Sequence, residues 1–318
     1  MRKIIGIGET ILDVIFRNDQ PTAAVPGGSA FNAVISLGRT SGKLWPFIPI
    51  VMITETGDDH IGDIIIDFMK KNNVSTVGVT RRQNSQTHVS LAFLNQNNDA
   101  QYEFYKDHAN ARLNAGIIEK MQINRDDIVL FGSFFAINPV IRDYTKALLT
   151  SAHDAGAILY YDINFRKSHI KDIPDTIENI RENCRLSDIV RGSAEDFGYL
   201  FGTTDAKEVY EKHIRKLCPN FICTNGGKEI ECFSKEGRFT CNAPRVKTVS
   251  TIGAGDNFNA GFIFALIRYC TFKNGSKKPL YINNAGWELY MRIAKKFSAN
   301  VCRSIYNYVD PDFFEKLD

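Results

Sequence analysis

Ser250-Thr251-Ile252-Gly253-Ala254-Gly255-Asp256-Asn257-Phe258-Asn259-Ala260-Gly261-Phe262 is the stretch from which the rest of the chain is read. Its first half is built of small residues, and Phe264, Ala265 and Ile267 continue it as an apolar helix. Gly253 and Gly255 let the backbone bend sharply and come close to a ligand. At such a helix start the amides of Gly253, Ala254, Gly255 and Asp256 are expected to point outward, unpaired, which suits an anion. Asp256 at the same turn can accept a proton from a hydroxyl group. An amide nest beside a carboxylate fits phosphoryl transfer to an alcohol, where charge spreads over the transferred oxygens. The proton can move late in such a reaction, so no raised pKa is required of Asp256. Taken alone, the tetrapeptide could also be a tight turn with Asp as a helix cap.

Outward from that stretch the pattern alternates between strand and helix. Lys3 to Gly8 reads as a short buried strand, and Leu12 to Phe16 as a second. Pro26-Gly27-Gly28-Ser29 is a turn that opens a helix with Phe31, Val34, Ile35 and Leu37 at helical spacing. His88 to Leu94 and Gln101 to Tyr105, around the polar cluster Asn95 to Asp99, read as a β-hairpin and a candidate lid. Ile128 to Gly132, Ile158 to Asp162, Asp188 to Val190 and Phe221 to Thr224 are strands separated by helical stretches, one of them over Val140 to Ala155. A last helix is expected over Ala285 to Cys302. Alternation of this kind predicts an α/β fold with a parallel sheet between helices.

Composition narrows the function. The 318 residues carry 39 basic and 36 acidic side chains, a formal charge of +3, and no clustered basic face that would read as a nucleic-acid footprint. The densest basic stretch, Lys273 to Lys278, reads as a solvated loop. Seven cysteines lie scattered, without CxxC or Cys/His spacing, which fits buried thiols in a reducing compartment. None of the six His residues has metal-ligand spacing. No apolar run reaches the roughly 18 residues of a membrane span, and the first residues read as a strand. The expected location is cytoplasmic. Gly6-Ile7-Gly8-Glu9 hints at a dinucleotide fold, but Ile11 stands where a third glycine is needed, and no GxxxxGK[ST] is present.

With these residues in view, the sequence resembles the ribokinase-like carbohydrate kinases, also called the phosphofructokinase B family. Ser250 to Phe258 is similar to the family's Asp-Thr-x-Gly-Ala-Gly-Asp-x-Phe signature, and Gly27-Gly28-Ser29-Ala30-Phe31-Asn32 to its Gly-Gly element. Gly57 to Gly62, Asp162-Ile163-Asn164-Phe165-Arg166, Arg191 to Asp196 and Thr224 to Gly227 match further landmarks, so the resemblance runs from about residue 3 to about residue 305. It implies a three-layer α/β/α fold in one kinase domain over 1–318, with a small β lid from about 12–26 and 86–106.

It also implies roles. Asp256 would be the base, with Gly253, Ala254 and Gly255 as the anion hole. Asp13, Gly28 and Asn32 would hold sugar hydroxyls, with Arg166 near the transferred phosphate or the sugar's far end. Ser193, Thr224, Gly226 and Asn300 would line the ATP side, and Asp196 the magnesium. The implied cofactors are ATP and Mg2+, and the implied assembly is a homodimer through the lid. Ser250 replaces the acid that shapes the family's monovalent-cation loop, which leaves K+ open. Tyr102 to Lys106 and Ala109-Asn110-Ala111 look more like fructokinases than adenosine kinases. The implied activity is ATP-dependent phosphorylation of a hexose such as fructose. The alternatives are another sugar, a sugar acid or a nucleoside, or, outside enzymes, a sugar-binding regulator without catalysis. Each residue also has a plain reading: a strand-end acid for Asp13, a helix-face amide for Asn32, an ion-pair partner for Arg166, a helix-start acid for Asp196.

Overall fold

The computed structural model of the chain describes residues 2–45, 47–94, 100–105, 116–269, 280 and 282–316. The polar cluster at 95–99, the segment 109–111 and the basic stretch at 273–278 lie outside them.

In chain order the strands are β1 (Ile4–Ile7), β2 (Ile11–Arg17), β3 (Gln20–Gly27), β4 (Ile50–Gly57), β5 (Val74–Ser75), β6 (Val79–Arg82) and β7 (Val89–Leu94). They continue as β8 (Ala100–Tyr105), β9 (Ile128–Gly132), β10 (Ile158–Asp162), β11 (Ile189–Ser193), β12 (Asn220–Thr224), β13 (Glu229–Ser234) and β14 (Gly237–Asn242). The principal sheet runs β14-β13-β12-β11-β10-β9-β1-β4-β5, with β6 also on β4. From β12 through β5 every pairing is parallel, and only the β12-β13-β14 end is antiparallel.

Successive side chains of a strand point to opposite faces, and here both faces are apolar. Ile4, Leu130, Tyr160 and Ile222 belong to one core. Their neighbours Ile5, Val129, Phe131, Leu159, Tyr161 and Phe221 belong to the other. That is why these strands read as unbroken apolar runs rather than alternating ones. Three helices, Ser29–Leu44, Ala254–Tyr269 and Asn284–Val301, cover the first face. Gly261 lets the last two pack closely, since a Cβ there would lie 2.7 Å from the Cα of Ala294. Arg142–Asp154, Ile173–Leu186 and Ala194–Phe201 cover the second. The predicted three-layer α/β/α arrangement is therefore the observed one.

A separate four-stranded sheet has the order β3-β2-β7-β8. Two antiparallel hairpins, β2-β3 and β7-β8, join through parallel β2 and β7. Residues 11–17, 20–27, 89–94 and 100–105 build it. One helix starts later than predicted: Asn138 caps a short 3-10 turn at Pro139–Ile141, and the α-helix begins only at Arg142. Proline lacks the N–H that a helix interior uses, so it belongs in this entry turn.

Candidate active site

The site residues gather at the carboxyl ends of the parallel strands, where open α/β sheets present their crevice. The chain enters from β1 and crosses to β2, which carries Asp13. That carboxylate is 8% exposed. Ser90 Oγ of β7 donates to its Oδ1, and Asn307 Nδ2 donates to its Oδ2 at 3.4 Å. Burial pushes Asp13 up to about 6, and Glu9's charge adds to this; the Ser90 bond and the charge of Arg166 oppose it.

Gly27 and Gly28 connect this sheet to the helix at Ser29. Gly28 has φ +128°, and a Cβ there would sit 2.2 Å from the Glu9 carbonyl oxygen. A Cβ on Gly27 would meet Asp13 Oδ2 at 2.2 Å. One turn into the helix, Asn32 Nδ2 donates to Asp256 Oδ2 at 2.8 Å. Asn32 Oδ1 is buried and has no hydrogen-bond partner, and so is Asn307 Oδ1. A buried, unsatisfied acceptor is costly, and two of them beside Asp13 and Asp256 ask for donors from a ligand.

Asp256 lies in the first turn of the helix that begins at Ala254. It is partly exposed, so it is not locked in the core. Burial pushes its pKa up to about 6, aided by the negative charge of Asp162; bonds from Asn32 and Ser29 and the charge of Arg166 pull it back. Sequence reasoning required no such rise, and the structure supplies one.

The turn before it is held from below. Gly253 has φ +75°, a conformation that favours glycine. Its carbonyl accepts from the Asn257 amide at 2.9 Å and from Asn257 Nδ2 at 2.8 Å, and that same Nδ2 also reaches Asn307 O at 2.7 Å. The amides of Gly255 and Asp256 take no backbone acceptor. Ala254 corrects the expectation of four free amides: its N–H closes a turn on Thr251 O at 3.2 Å. Reversing the chain at Gly253 brings that carbonyl within reach, so the nest is narrower than the sequence suggests.

The other expected residues divide. Arg166 is exposed, and its charge acts on both Asp13 and Asp256. Ser193 and Asp196 form a reciprocal capping box at a helix start: Ser193 N–H donates to Asp196 Oδ2 at 2.6 Å, and Asp196 N–H to Ser193 Oγ at 3.1 Å. Asp196 is 6% exposed, and burial pushes it up to about 6. Thr224 ends β12 opposite Ser193, and Gly226 follows at φ +52° with open space around it. Asn300 faces elsewhere: both ends of its amide are taken by Asp310, Nδ2 to Oδ2 at 2.9 Å and Oδ1 from the Asp310 amide at 3.0 Å. That pair fastens the last helix to the C-terminal loop, which is a structural task.

Ser90, Asn257 and Asn307 were missed by sequence reasoning, as was Arg191. Its guanidinium is buried between Asp162 Oδ1 at 2.9 Å and Thr224 Oγ1 at 2.7 Å. Asp162 and Arg191 were visible only as members of matched motifs. Their partnership was not, because 29 residues separate them in sequence.

A carboxylate beside two amides without backbone acceptors, with buried unsatisfied acceptors nearby, is an arrangement suited to phosphoryl transfer. The chain belongs to the pfkB family of carbohydrate kinases, which it matches over residues 1–305; it is an enzyme that phosphorylates a sugar hydroxyl. It is 30% identical to a fructokinase of Rhizobium leguminosarum bv. trifolii over 273 residues, covering 83% of this chain and 79% of that one. Probable fructokinase-5 of Arabidopsis thaliana is 26% identical over 83% of this chain and 82% of its own. Among solved structures, the fructokinase of Vibrio cholerae O395 bound to fructose, ADP and calcium shares the fold with a TM-score of 0.81 at 19% identity, covering 100% of this chain and 99% of that one. The aminoimidazole riboside kinase of Salmonella enterica does so with 0.80 at 21% identity, covering 99% and 98%.

Proposed function

We propose that this enzyme is an ATP-dependent hexose kinase acting on fructose. The observation that carries the reading is Asn32, which donates to Asp256 at 2.8 Å and keeps a buried, unsatisfied oxygen, beside the Gly255 and Asp256 amides that take no backbone acceptor. Asp13 and the orphan oxygens of Asn32 and Asn307 accept from sugar hydroxyls, as a polyol requires. Asp256 accepts the proton of the attacking hydroxyl as its oxygen bonds to the γ-phosphorus, and ADP leaves. The amides stabilise charge on the transferred group without reorganising. Arg166 serves the same group or the sugar's far end. Fructose is favoured because the curated relatives named above are fructokinases.

Ser193, Thr224 and Gly226 are assigned to the nucleotide side, where the open backbone at Gly226 lets a ligand approach. Among the described residues no group of three or more His, Cys, Asp or Glu could hold a metal. A Mg2+ ion would come with the ATP phosphates and stay largely hydrated, with Asp196 reaching it through water. The ion, when bound, offsets phosphate charge. Ser250 adds no charge for a monovalent cation: its hydroxyl accepts from the Ile252 amide at 3.2 Å.

The four-stranded sheet is read as the lid of a single kinase domain, hinged at Gly27–Gly28. It carries Asp13 and Ser90 on one face. Val14, Phe16, Leu91 and Phe93 alternate onto the other, partly exposed, and this apolar face is where a second subunit's lid would pair in a homodimer. Among the described residues no helix is long and apolar enough to cross a membrane. The six described cysteines are free and five of them are buried, as we expect of a cytoplasmic enzyme.

A coupled ADP-release screen over sugars, sugar acids and nucleosides tests the acceptor. Fructose is expected to give the highest kcat/KM; turnover confined to a nucleoside would overturn the assignment. A pH profile tests the site. Both Asp13 and Asp256 act as anions, and both titrate at about 6. We therefore expect kcat/KM to be level above pH 7 and to fall below pH 6 with a slope steeper than one proton. A profile still level at pH 5 would contradict both roles.

A further inference from the structure

We infer that Arg191 is a positioning residue for phosphoryl transfer, an internal cation wedged beneath Gly255 that holds the amide turn in place and backs it with positive charge.

The geometry is specific to Gly255. Its φ lies outside the positive region, so conformation does not demand glycine there. Space does: a Cβ at 255 would meet Arg191 Nη2 at 3.0 Å, Nη1 at 3.1 Å and Cζ at 3.5 Å. The guanidinium is thus packed directly against the Cα whose amide is unpaired. It is held there by three consecutive strands and the helix above. Nη1 donates to Asp162 of β10, Nη2 donates to Thr224 of β12, the backbone is β11, and Cζ lies 5.9 Å from the Phe258 ring. Its side chain is 8% exposed, and Nε is buried with no partner.

The ion pair is polarised relative to the site. Asp162 also accepts from Asn259 Nδ2 on Oδ2 at 2.7 Å, and Asn259 in turn accepts from Tyr160. Asp162 is thus tied on its second oxygen to the helix that carries Asp256, while the guanidinium packs against Gly255. Charged and titratable groups around Arg191 are Asp162 and Tyr160 of β10 and Asp196 of the capped helix. Those around Asp256 are Asp162 and Arg166, with Ser29 and Asn32 as neutral hydrogen-bond donors. Asp162 belongs to both sets, so neutralising it is a second consequence of Arg191: it limits how far that anion disfavours the ionised base.

The test is Arg191→Met and Arg191→Lys, measured with whichever sugar the parent phosphorylates, so it does not depend on fructose. Arg191→Met should lose about 10²-fold in kcat, the scale of one removed transition-state donor, with KM for the sugar within about threefold by the same reasoning. Its acid limb should move up by roughly one pH unit, because Asp162 is left uncompensated. Arg191→Lys should recover most of both. The double variant Asp162→Asn/Arg191→Met removes both charges and guards against misfolding of the single one. Our reading expects it to stay low in kcat with the limb not displaced upward. Parent-like kcat in a folded double variant, or an unmoved limb in a folded Arg191→Met, would overturn the proposal.

Discussion

Asp256→Asn is expected to fold, to bind sugar and ATP, and to turn over about 10²–10⁴ times more slowly than the parent. The amide is nearly isosteric with the carboxylate, and its oxygen can still accept the 2.8 Å bond from Asn32. What it cannot do is take up a proton. Stability should move the other way from activity. The folded pKa of about 6 lies above the ordinary carboxylate value of 3.8, so between those values the native state binds the proton more tightly than the unfolded chain. The stability that Asp256 lends is present below about pH 4 and is lost as pH rises through 6. At pH 8 the parent holds a disfavoured charge there, and the amide variant does not. A urea titration at pH 8 should therefore place the variant's midpoint at or above the parent's, beside single-turnover measurements showing the lost chemistry. Near-parent turnover would remove Asp256 from the role of base. Lost turnover together with a lowered midpoint would show that the residue serves the fold first.

What the sequence made legible followed from proximity along the chain. The parallel strands could be read because both of their faces are buried, which leaves Ile4 to Ile7 or Ile158 to Tyr161 without a polar alternation. The helix at 254 could be read because glycines precede an apolar run. The pairing of Asn32 with Asp256 was implied by the resemblance only as two residues of one site, and the structure makes it a 2.8 Å hydrogen bond. Groups recruited from far away could not be read. Asn307 reaches Asp13 across 294 positions and Asn257 across 50, and nothing in their local sequence marks them. Asn300, which the resemblance placed on the ATP side, has its amide consumed by Asp310 ten residues on. Local competition of that kind depends on where the C-terminal loop folds back, which no spacing rule predicts. Ala254 belongs with it, because a three-residue turn decides whether its amide is free.

Asp162→Asn should be the most destabilising of the conservative substitutions at this site, by about 3 kcal/mol or more, because it leaves a buried cation without its counter-charge. Asp162 is 1% exposed and accepts two donors, Arg191 on one oxygen and Asn259 on the other. An amide offers one acceptor and two donors in the same envelope. Whichever way it turns, an N–H must then face either the guanidinium or the Asn259 amide. Asp196 also bears on Arg191, but its bond to the Ser193 amide fixes it as a cap, so it is not free to replace the lost partner. The electrostatic consequence at the base is opposite in sign to that of Arg191→Met. Asp162 raises the Asp256 pKa, so removing its charge lets Asp256 ionise more easily; Asp13 is still pushed up to about 6, so the acid limb of kcat/KM should stay near pH 6 but flatten toward a one-proton slope. Denaturant midpoints and a pH profile on the same preparation check both halves. An unchanged midpoint would mean that the pair is solvated and that the interior is less dry than its burial implies. A lower midpoint with a limb as steep as the parent's would place Asp162 in the fold alone and deny it influence over the base.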